Sequence, residues 1–354
     1  MFPSSLYLTC EIPGTGGSLK VAPEDFRVEE IPAYGPTGQG DHVLVTVEKR
    51  DLSTFEAVRR VAAALGVKDR DIGTAGLKDR HAVTVQQISL PPPVTPERAR
   101  SLDLPGLRVL SAERHPHKLK TGHLKGNRFV LVIRGVLPKP DVAAERARLV
   151  LDRLRQPPGV PNWYGEQRFG ARGDNAERGR SLVRGERPIP PPRDNKEKRL
   201  LFSAFQSELF NRYLTARMTD GLLSRVITGD VLRKVASGGI FATDDPTVDQ
   251  PRLDSGEIVP TGPMFGVSMR APKEGTDAAR REASILADEQ LQPADFSTVG
   301  ALGEGTRRPL AVSLDGVSVK EIEGDAIEIT FRLPPGAYAT VVAAEVVKPG
   351  LSLG

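Results

Sequence analysis

Cysteines and long apolar runs are both scarce in this 354-residue chain. The single cysteine, Cys10, has no partner for an intrachain disulfide and suits a reducing compartment such as the cytoplasm. No apolar stretch approaches the ~20 residues that a membrane-spanning helix needs, so a membrane protein is not expected. The first residues, MFPSSLYLTCEIPG, lack a basic region followed by an apolar one, and no signal peptide is predicted.

Motifs for phosphate-dependent and metal-dependent chemistry are also missing. GTGGS at residues 14–18 has the spacing of neither a Walker A loop nor a dinucleotide-binding fingerprint. His115, His117 and His123 lie close together in sequence, but no cysteine and no evident fourth ligand accompany them. A zinc site is therefore not predicted, and we expect neither a metal nor a cofactor.

Acidic residues are absent from one long segment. Residues 114–140 contain seven Lys or Arg and no Asp or Glu, and residues 163–199 contain ten Lys or Arg and six Asp or Glu. Such concentrated positive charge is typical of a protein that binds a polyanion, although two solvated loops would give the same pattern. The candidate RNA contacts are Lys118, Lys120, Lys125, Arg168 and Arg172.

Aromatic residues make up only 5% of the chain, so their positions within the basic segments are informative. Trp163, Tyr164 and Phe169 are interleaved with arginines, and Phe129 follows Asn127 where the first basic segment becomes rich in β-branched residues. Aromatic rings in such positions can stack on the bases of single-stranded RNA. Core packing explains the same rings equally well at this point.

One carboxylate lies between two cations in the segment TAGLKDRHAVTVQ, residues 74–86. Lys78 and Arg80 flank Asp79, and cations facing this group would keep it ionised at neutral pH. An ionised aspartate can act as a nucleophile or as an electrostatic stabiliser. A solvated turn with an ordinary ion pair is the alternative.

Local patterns predict a mixture of helices and strands. Ser53 with Glu56 three residues later is a capping box, so a helix is predicted from there to Gly66. Valines alternate at 43, 45 and 47, which predicts a half-buried strand. Further strands are predicted at 82–90, 309–314 and 326–332, and helices at 141–156, after Asp194 and after Pro335. Residues 238–275, rich in Gly, Pro and Asp, are predicted to be turns.

Five segments occur in order along the chain: APEDF at 22–26, AGLKDRHAVTVQ at 75–86, LKGNRF at 124–129, PNWYGEQRFG at 161–170 and LPPGAYAT at 333–340. Together they resemble the TruD family of tRNA pseudouridine synthases, and the second segment is the most specific. The resemblance implies a mixed α+β fold, in which an antiparallel sheet with flanking helices forms the catalytic domain. It further implies that residues 1–158 and 305–354 form this domain, and that residues 159–304 form an inserted α/β domain.

The resemblance also implies roles for individual residues. Asp79 matches the catalytic aspartate, and Asn127 and Phe129 match the pair that holds the target uridine, with Phe129 stacked on the base. Lys20 matches a lysine near the site, and Tyr338 stands where a phenylalanine is often found. The neighbours of the aspartate, namely Lys78, Arg80 and His81, are assigned to the substrate site with it.

Pseudouridine formation breaks the N1–C1′ bond of uridine, turns the base and joins C5 to C1′. Asp79 could attack C1′ or C6, or assist glycal formation, and the residues do not choose among these. The implied partner is tRNA, with uridine 13 of the D-arm as the target, and a monomer is favoured. Two alternatives stay open, namely a non-catalytic RNA-binding protein and a nucleosidase whose second carboxylate would be Glu24 or Asp25.

Overall fold

A computed structural model of the protein describes residues 6–348. Strands and helices alternate along this part of the chain. In chain order they are β1 (Ser18–Leu19), β2 (Phe26–Pro32), β3 (His42–Arg50), α1 (Thr54–Leu65), β4 (Gly73–Thr74), β5 (Val83–Leu90), α2 (Pro96–Arg100), β6 (Leu107–His115), β7 (Leu124–Arg134), α3 (Pro140–Arg155), β8 (Val160–Pro161), α4 (Asn175–Val183), α5 (Asn195–Thr219), β9 (Val231–Lys234), β10 (Ile240–Ala242), α6 (Pro246–Asp254), β11 (Ile258–Met264), α7 (Asp277–Asp288), β12 (Thr306–Pro309), β13 (Ala311–Val312), β14 (Asp315–Ile322), β15 (Ala326–Leu333) and α8 (Ala339–Val347).

Two compact units share these elements. The first consists of residues 12–151, 314–336 and 346–348, and we call it the large-sheet unit. The second consists of residues 6–11, 152–313 and 337–345, and we call it the small-sheet unit. The inserted domain at 159–304 stays a prediction from the sequence.

The large-sheet unit is built on one mixed sheet with the strand order β14-β15-β7-β2-β5-β3-β6. β1 pairs with β7, and β4 pairs with β5. All of these pairings are antiparallel except that of β2 with β5. The expected fold class, mixed α+β with an antiparallel-rich sheet and helices, is confirmed.

Helix α1 shows how local sequence fixes the ends of an element. The Ser53 hydroxyl accepts a hydrogen bond from the Glu56 amide at 3.2 Å, which caps the first turn. Gly66 ends the helix in a left-handed conformation with φ 69°. Buried Val61, Ala62 and Leu65 then pack into the core between this helix and the sheet. The helix therefore lies where the capping box and the apolar spacing predicted it.

The small-sheet unit has a four-stranded sheet in the order β10-β9-β11-β12 and the pair β13-β8. Helix α5 is capped by Asp194, whose carboxylate accepts from the Glu197 amide at 2.7 Å. Strand β11 differs from the prediction of turns at 238–275, because every one of its residues is buried. Gly262 explains part of the difference: a Cβ there would lie 2.8 Å from Leu310 and 2.9 Å from Phe210, so only glycine fits.

Within residues 6–348, no helix combines the length and the apolar character that crossing a membrane requires.

Candidate active site

The parallel pairing of β2 with β5 places two predicted site residues together. In a parallel pair the strands begin at the same end of the sheet, and here Arg27 is the partner of Val83. The segments that lead into the two strands carry Lys20 and Asp79. The Lys20 Nζ lies 3.4 Å from the Asp79 Oδ1, and about a quarter of each side chain is exposed. The carboxylate is thus accessible and has a cation beside it.

Lys20 reaches this position through an unusual backbone. Its φ of 58° lies in the left-handed region, which costs a residue other than glycine of order 1 kcal/mol or more. Its ammonium also lies 3.9 Å from the centre of the Phe26 ring, a cation–π contact. Conformations of this kind persist where the surrounding structure imposes them, and they are concentrated at functional sites.

The loop that carries Asp79 is fixed by its main chain. The Lys49 ammonium donates to the Asp79 carbonyl oxygen at 2.9 Å, and the Thr54 hydroxyl accepts from the Lys78 amide at 3.0 Å. Earlier in the same loop, the Ala75 carbonyl accepts a hydrogen bond from the Gly122 amide at 2.8 Å. Three separate parts of the chain therefore hold a loop that has no regular secondary structure of its own.

The Lys78 side chain is turned into the protein. Its Nζ lies 2.6 Å from the Glu30 Oε2, with 4% and 1% of the two side chains exposed. The other oxygen of Glu30 accepts from the Gln87 amide at 3.1 Å. The ion pair of Lys78 with Glu30 therefore ties the loop to strand β2, and the lysine does not face solvent.

Arg80 and His81 continue the loop outward, and both are exposed. The His81 ring lies 2.9 Å from the carboxylate of Asp51. Arg80 is the cation of this segment that is open to solvent, which suits contact with a phosphate.

Asn127 and Phe129 lie on one face of the central strand β7, two residues apart. The register sets Asn127 opposite Glu30 and Phe129 opposite Phe331. The Asn127 Oδ1 is buried and has no hydrogen-bond partner in the described part of the chain. Phe129 is 5% exposed, with its ring 6.3 Å from Phe26 edge-on and 5.5 Å from Phe331 in a stacked arrangement.

A line of contacts joins Phe129 to the aspartate. It runs from Asp79 to Lys20, on to Phe26 and then to Phe129. The carboxylate of Asp79 is therefore connected to the ring of Phe129 through Lys20 and Phe26. The role of Phe129 in stacking on the base stays a prediction, since packing within the protein already covers most of the ring.

The two other carboxylates of the APEDF segment are engaged elsewhere. Arg134 donates to both oxygens of Asp25 at 2.7–3.0 Å, and this bonding holds the pKa of the Asp25 carboxyl below its ordinary value. Arg50 bonds Glu24 at 2.5 and 3.3 Å and lowers its pKa in the same way. Neither group is suited to be the protonated acid that a nucleosidase of the glycosidase type requires.

The first basic segment surrounds a tyrosine. The Tyr34 ring stacks on His115 at 5.1 Å, and its hydroxyl lies 2.6 Å from the Nδ1 of His123. Lys118 donates to the Arg70 carbonyl at 2.6 Å, while Lys120 and Lys125 are exposed. The structure thus uses these histidines to order the segment and leaves two of its three candidate lysines facing solvent.

A second cluster lies within the small-sheet unit. The Tyr338 ring packs on Tyr164 at 6.1 Å, and the Arg308 guanidinium lies 4.0 Å from the centre of the Tyr164 ring. Arg168 is 5.4 Å from the same ring and is held by the hydroxyls of Ser203 and Ser207. The predicted residues Tyr338 and Arg168 therefore meet at Tyr164.

Arg172 stands apart from this cluster. It is exposed and lies 3.6 Å from the carboxylate of Asp174.

Sequence reasoning missed three members of these clusters, namely Lys49, Glu30 and Arg308. For Lys49 a signal existed, because the period of two that buries Val43, Val45 and Val47 also places residue 49 on the buried face. Arg308 gave no comparable signal, since its stack on Tyr164 joins residues that are distant in the chain.

Comparison with known proteins agrees with this interpretation. The family model for tRNA pseudouridine synthase D (TruD) matches residues 4–188 and 194–346. A protein from Anaeromyxobacter dehalogenans (strain 2CP-C) named tRNA pseudouridine synthase D is 47% identical over 350 residues, which cover 98% of this chain and 97% of that protein. A protein of the same name from Thermus thermophilus is 41% identical, with coverage of 97% and 92%.

The fold is also similar to a solved structure. A crystal structure from Methanosarcina mazei, described under the same family name, superposes with a TM-score of 0.75 over 96% of this chain and 95% of that one, at 22% identity. At this identity the likeness concerns the fold alone. The family match over nearly the whole chain, together with the identities above 40%, shows that the chain belongs to the TruD family of tRNA pseudouridine synthases and isomerises uridine in tRNA to pseudouridine.

Proposed function

We propose that Asp79 is the carboxylate that acts on the target nucleotide, and that the target is uridine 13 in the D-arm of tRNA. The observation that carries the first part is the position of Asp79: it is partly exposed and paired with Lys20, and its loop is held by hydrogen bonds to the main chain of Ala75, Lys78 and Asp79. The target uridine is proposed from the resemblance to the family.

The Lys20 ammonium lies 3.4 Å from the Asp79 carboxylate and offsets its negative charge. An ionised carboxylate can add to C1′ or C6, or stabilise the positive charge that develops at C1′ when the N1–C1′ bond breaks. Each route returns the carboxylate unchanged once C5 has joined C1′. The chemistry consumes no redox equivalent and transfers no phosphate.

Asn127 and Phe129 supply the proposed seat for the uracil. The buried Oδ1 of Asn127 is an acceptor without a partner among residues 6–348, and an N3–H of uracil is a donor that would satisfy it. An unsatisfied buried acceptor costs about 1–3 kcal/mol, so a base that pairs with it gains binding free energy. Phe129 underlies this seat as part of the Phe26–Phe331 cluster.

The uridine must leave the RNA stack before it can enter the site. We propose that Arg80, Lys120 and Lys125 contact phosphates in the large-sheet unit, since all three are exposed. We assign Arg168, Arg172 and Tyr338 to RNA contacts made by the small-sheet unit, and residues 159–304 to the inserted domain. Neutralising phosphates in this way makes affinity fall with salt.

The decisive variant is Asp79→Asn, which keeps the size of the side chain and removes its charge. With tRNA carrying uridine labelled with tritium at C5, we expect release of tritium to fall below detection while tRNA binding is retained. Glu24→Gln serves as the matched control, because it neutralises an exposed carboxylate of the same unit, and it should release tritium at the normal rate.

Substantial turnover by Asp79→Asn would overturn the catalytic assignment. Free uracil among the products would instead indicate a nucleosidase. Mapping pseudouridine in an unmodified tRNA transcript after incubation tests the target, and modification at any position other than 13 would overturn that part alone.

A further inference from the structure

Lys49 is a lysine with no exposed ammonium. Only 1% of the residue is accessible, and it lies near the end of β3, an internal strand that is paired on one side with β5 and on the other with β6. A buried lysine without a carboxylate at hydrogen-bond distance is rare, because taking the charge out of water is costly. We therefore expect the buried ammonium of Lys49 to have a structural or functional role.

The Lys49 ammonium bonds main-chain oxygens at the edge of the site. It donates to the Leu52 carbonyl at 2.5 Å and to the Asp79 carbonyl at 2.9 Å. Leu52 immediately precedes the cap of α1, and Asp79 belongs to the loop before β5. One side chain therefore ties the loop of the aspartate to the entry of a helix that the same loop contacts through Thr54.

The charge of Lys49 also acts on the site. Burial lowers the pKa of Lys49 to about 8, the nearby carboxylate of Asp79 raises it in part, and the ammonium of Lys78 lowers it. The ammonium of Lys49 and the carboxylate of Asp79 therefore attract each other. Lys78 is paired with Glu30 at 2.6 Å, whereas Lys20 and Lys49 both interact with Asp79.

We propose that Lys49 is a positioning residue for the reaction, which holds the main chain of Asp79 in place and adds a second, solvent-shielded cation behind its carboxylate. This inference rests on the proposed catalytic role of Asp79. Lys49 itself touches no substrate, because its ammonium is covered by Leu52 and Asp79. Replacing Lys49 should therefore lower the rate of the chemical step and leave the affinity for RNA unchanged.

The test is Lys49→Met, which keeps a long unbranched side chain and removes the charge and the donors. Under single-turnover conditions with enzyme in excess, we expect the rate of tritium release to fall about 10–100-fold, the cost of a misplaced reacting group. The dissociation constant for tRNA should stay at the wild-type value.

Lys348→Met is the matched control. Lys348 is also buried, at 2% exposure, and its ammonium also donates to a main-chain carbonyl, that of Ile12. Its removal should lower the thermal unfolding midpoint without changing the single-turnover rate. A folded Lys49→Met enzyme with the wild-type rate, or an equal loss of rate in Lys348→Met, would overturn the proposal.

A pH profile of the wild-type enzyme tests the charge separately, and it also covers the case in which Lys49→Met does not fold. Below pH 8 Lys49 is protonated, and as pH rises through about 8 it loses its charge but keeps donors for both carbonyls. The single-turnover rate should therefore decline between pH 7 and 9 at constant tRNA affinity. A flat profile together with an unfolded Lys49→Met variant would refute the role of the charge.

The outcomes also separate this inference from the one on which it rests. If Asp79→Asn abolishes turnover and Lys49→Met does not reduce it, only the positioning role fails. If Asp79→Asn retains turnover, the catalytic assignment itself fails, whatever Lys49→Met does.

Discussion

In the small-sheet unit, Arg217 donates to both oxygens of Asp230 at 2.8 and 3.1 Å, and its remaining donors reach the carbonyls of Leu222 and Arg225. In the large-sheet unit, the buried lysines 49 and 78 have fewer partners, and each holds the loop of Asp79. The donors of the arginine are satisfied by its own surroundings, whereas the lysines hold the loop that carries the proposed catalytic aspartate.

This contrast reflects the shapes of the two cations. A guanidinium presents five donors in a planar fork, which a carboxylate and two carbonyls can satisfy completely. An ammonium is a compact charge on a flexible stem, which can reach into a loop from a neighbouring strand. We therefore expect buried charge to serve stability in the small-sheet unit and, under the proposed function, the geometry of the site in the large-sheet unit.

The largest stability effect should come from breaking the saturated pair. Asp230→Asn leaves the guanidinium of Arg217 buried without its countercharge, and this should cost about 3–5 kcal/mol of the free energy of unfolding. Chemical denaturation followed by circular dichroism measures the loss, and the folded fraction should keep the wild-type rate of tritium release. Asp220→Asn is the control, because the pair of Asp220 with Arg281 is partly exposed and should contribute less than about 1 kcal/mol.

A loss of rate in Asp230→Asn protein that remains folded would contradict the division of roles between the two units.

The same chemical change in the large-sheet unit should have a smaller effect on stability and a larger one on the reaction. Glu30→Gln removes the countercharge of Lys78, and we expect a cost of about 1–3 kcal/mol, since the flexible stem of the lysine lets its ammonium turn toward solvent. The rate of tritium release per folded molecule should fall, because the loop of Asp79 then moves. Denaturation and single-turnover assays on the same preparation check both parts.

Equal stability losses in Glu30→Gln and Asp230→Asn, with full activity in both, would contradict the proposal that the Lys78–Glu30 pair positions the loop of Asp79 while the Arg217–Asp230 pair only stabilises the fold.

The smallest effect is expected for an exposed cation. Lys120→Ala should leave both stability and the saturated rate unchanged, because the side chain faces solvent. It should weaken tRNA binding and reduce the slope of log affinity against log salt by about 1, the contribution of one phosphate contact. Lys320→Ala changes the net charge equally at an exposed position on β14 and should leave the slope as it is.

An unchanged salt slope for Lys120→Ala would mean that this lysine meets no phosphate.

Elements whose signals are local could be predicted from the sequence. The cap at Ser53, the end at Gly66 and the cap at Asp194 each depend on contacts within four residues, and all three occur as expected. Strand β11 was missed because Pro260, Gly262 and Pro263 are typical turn residues. Its burial depends on pairing with β9 and β12, which local composition does not encode.

The residues of the site likewise divide into those that the sequence identified and those that depend on contacts between distant positions. The family resemblance named Asp79, and the structure places Lys20 beside it. The sequence suggested Lys78 as a cation that faces the aspartate, yet its ammonium pairs with Glu30, which lies 48 positions earlier on β2. Lys49 was overlooked for a related reason, since its partner Asp79 lies 30 positions away. Contacts of this range follow from sheet order, and the order of strands is not written in any one segment.

The parallel pairing of β2 with β5 has a consequence for how the chain tolerates changes in length. Strand β2 begins a few residues after Lys20, and strand β5 begins a few residues after Asp79. The ion pair of Lys20 with Asp79 therefore depends on the number of residues in both lead-in segments. One inserted residue in either lead-in would rotate a strand face or carry the aspartate past its lysine.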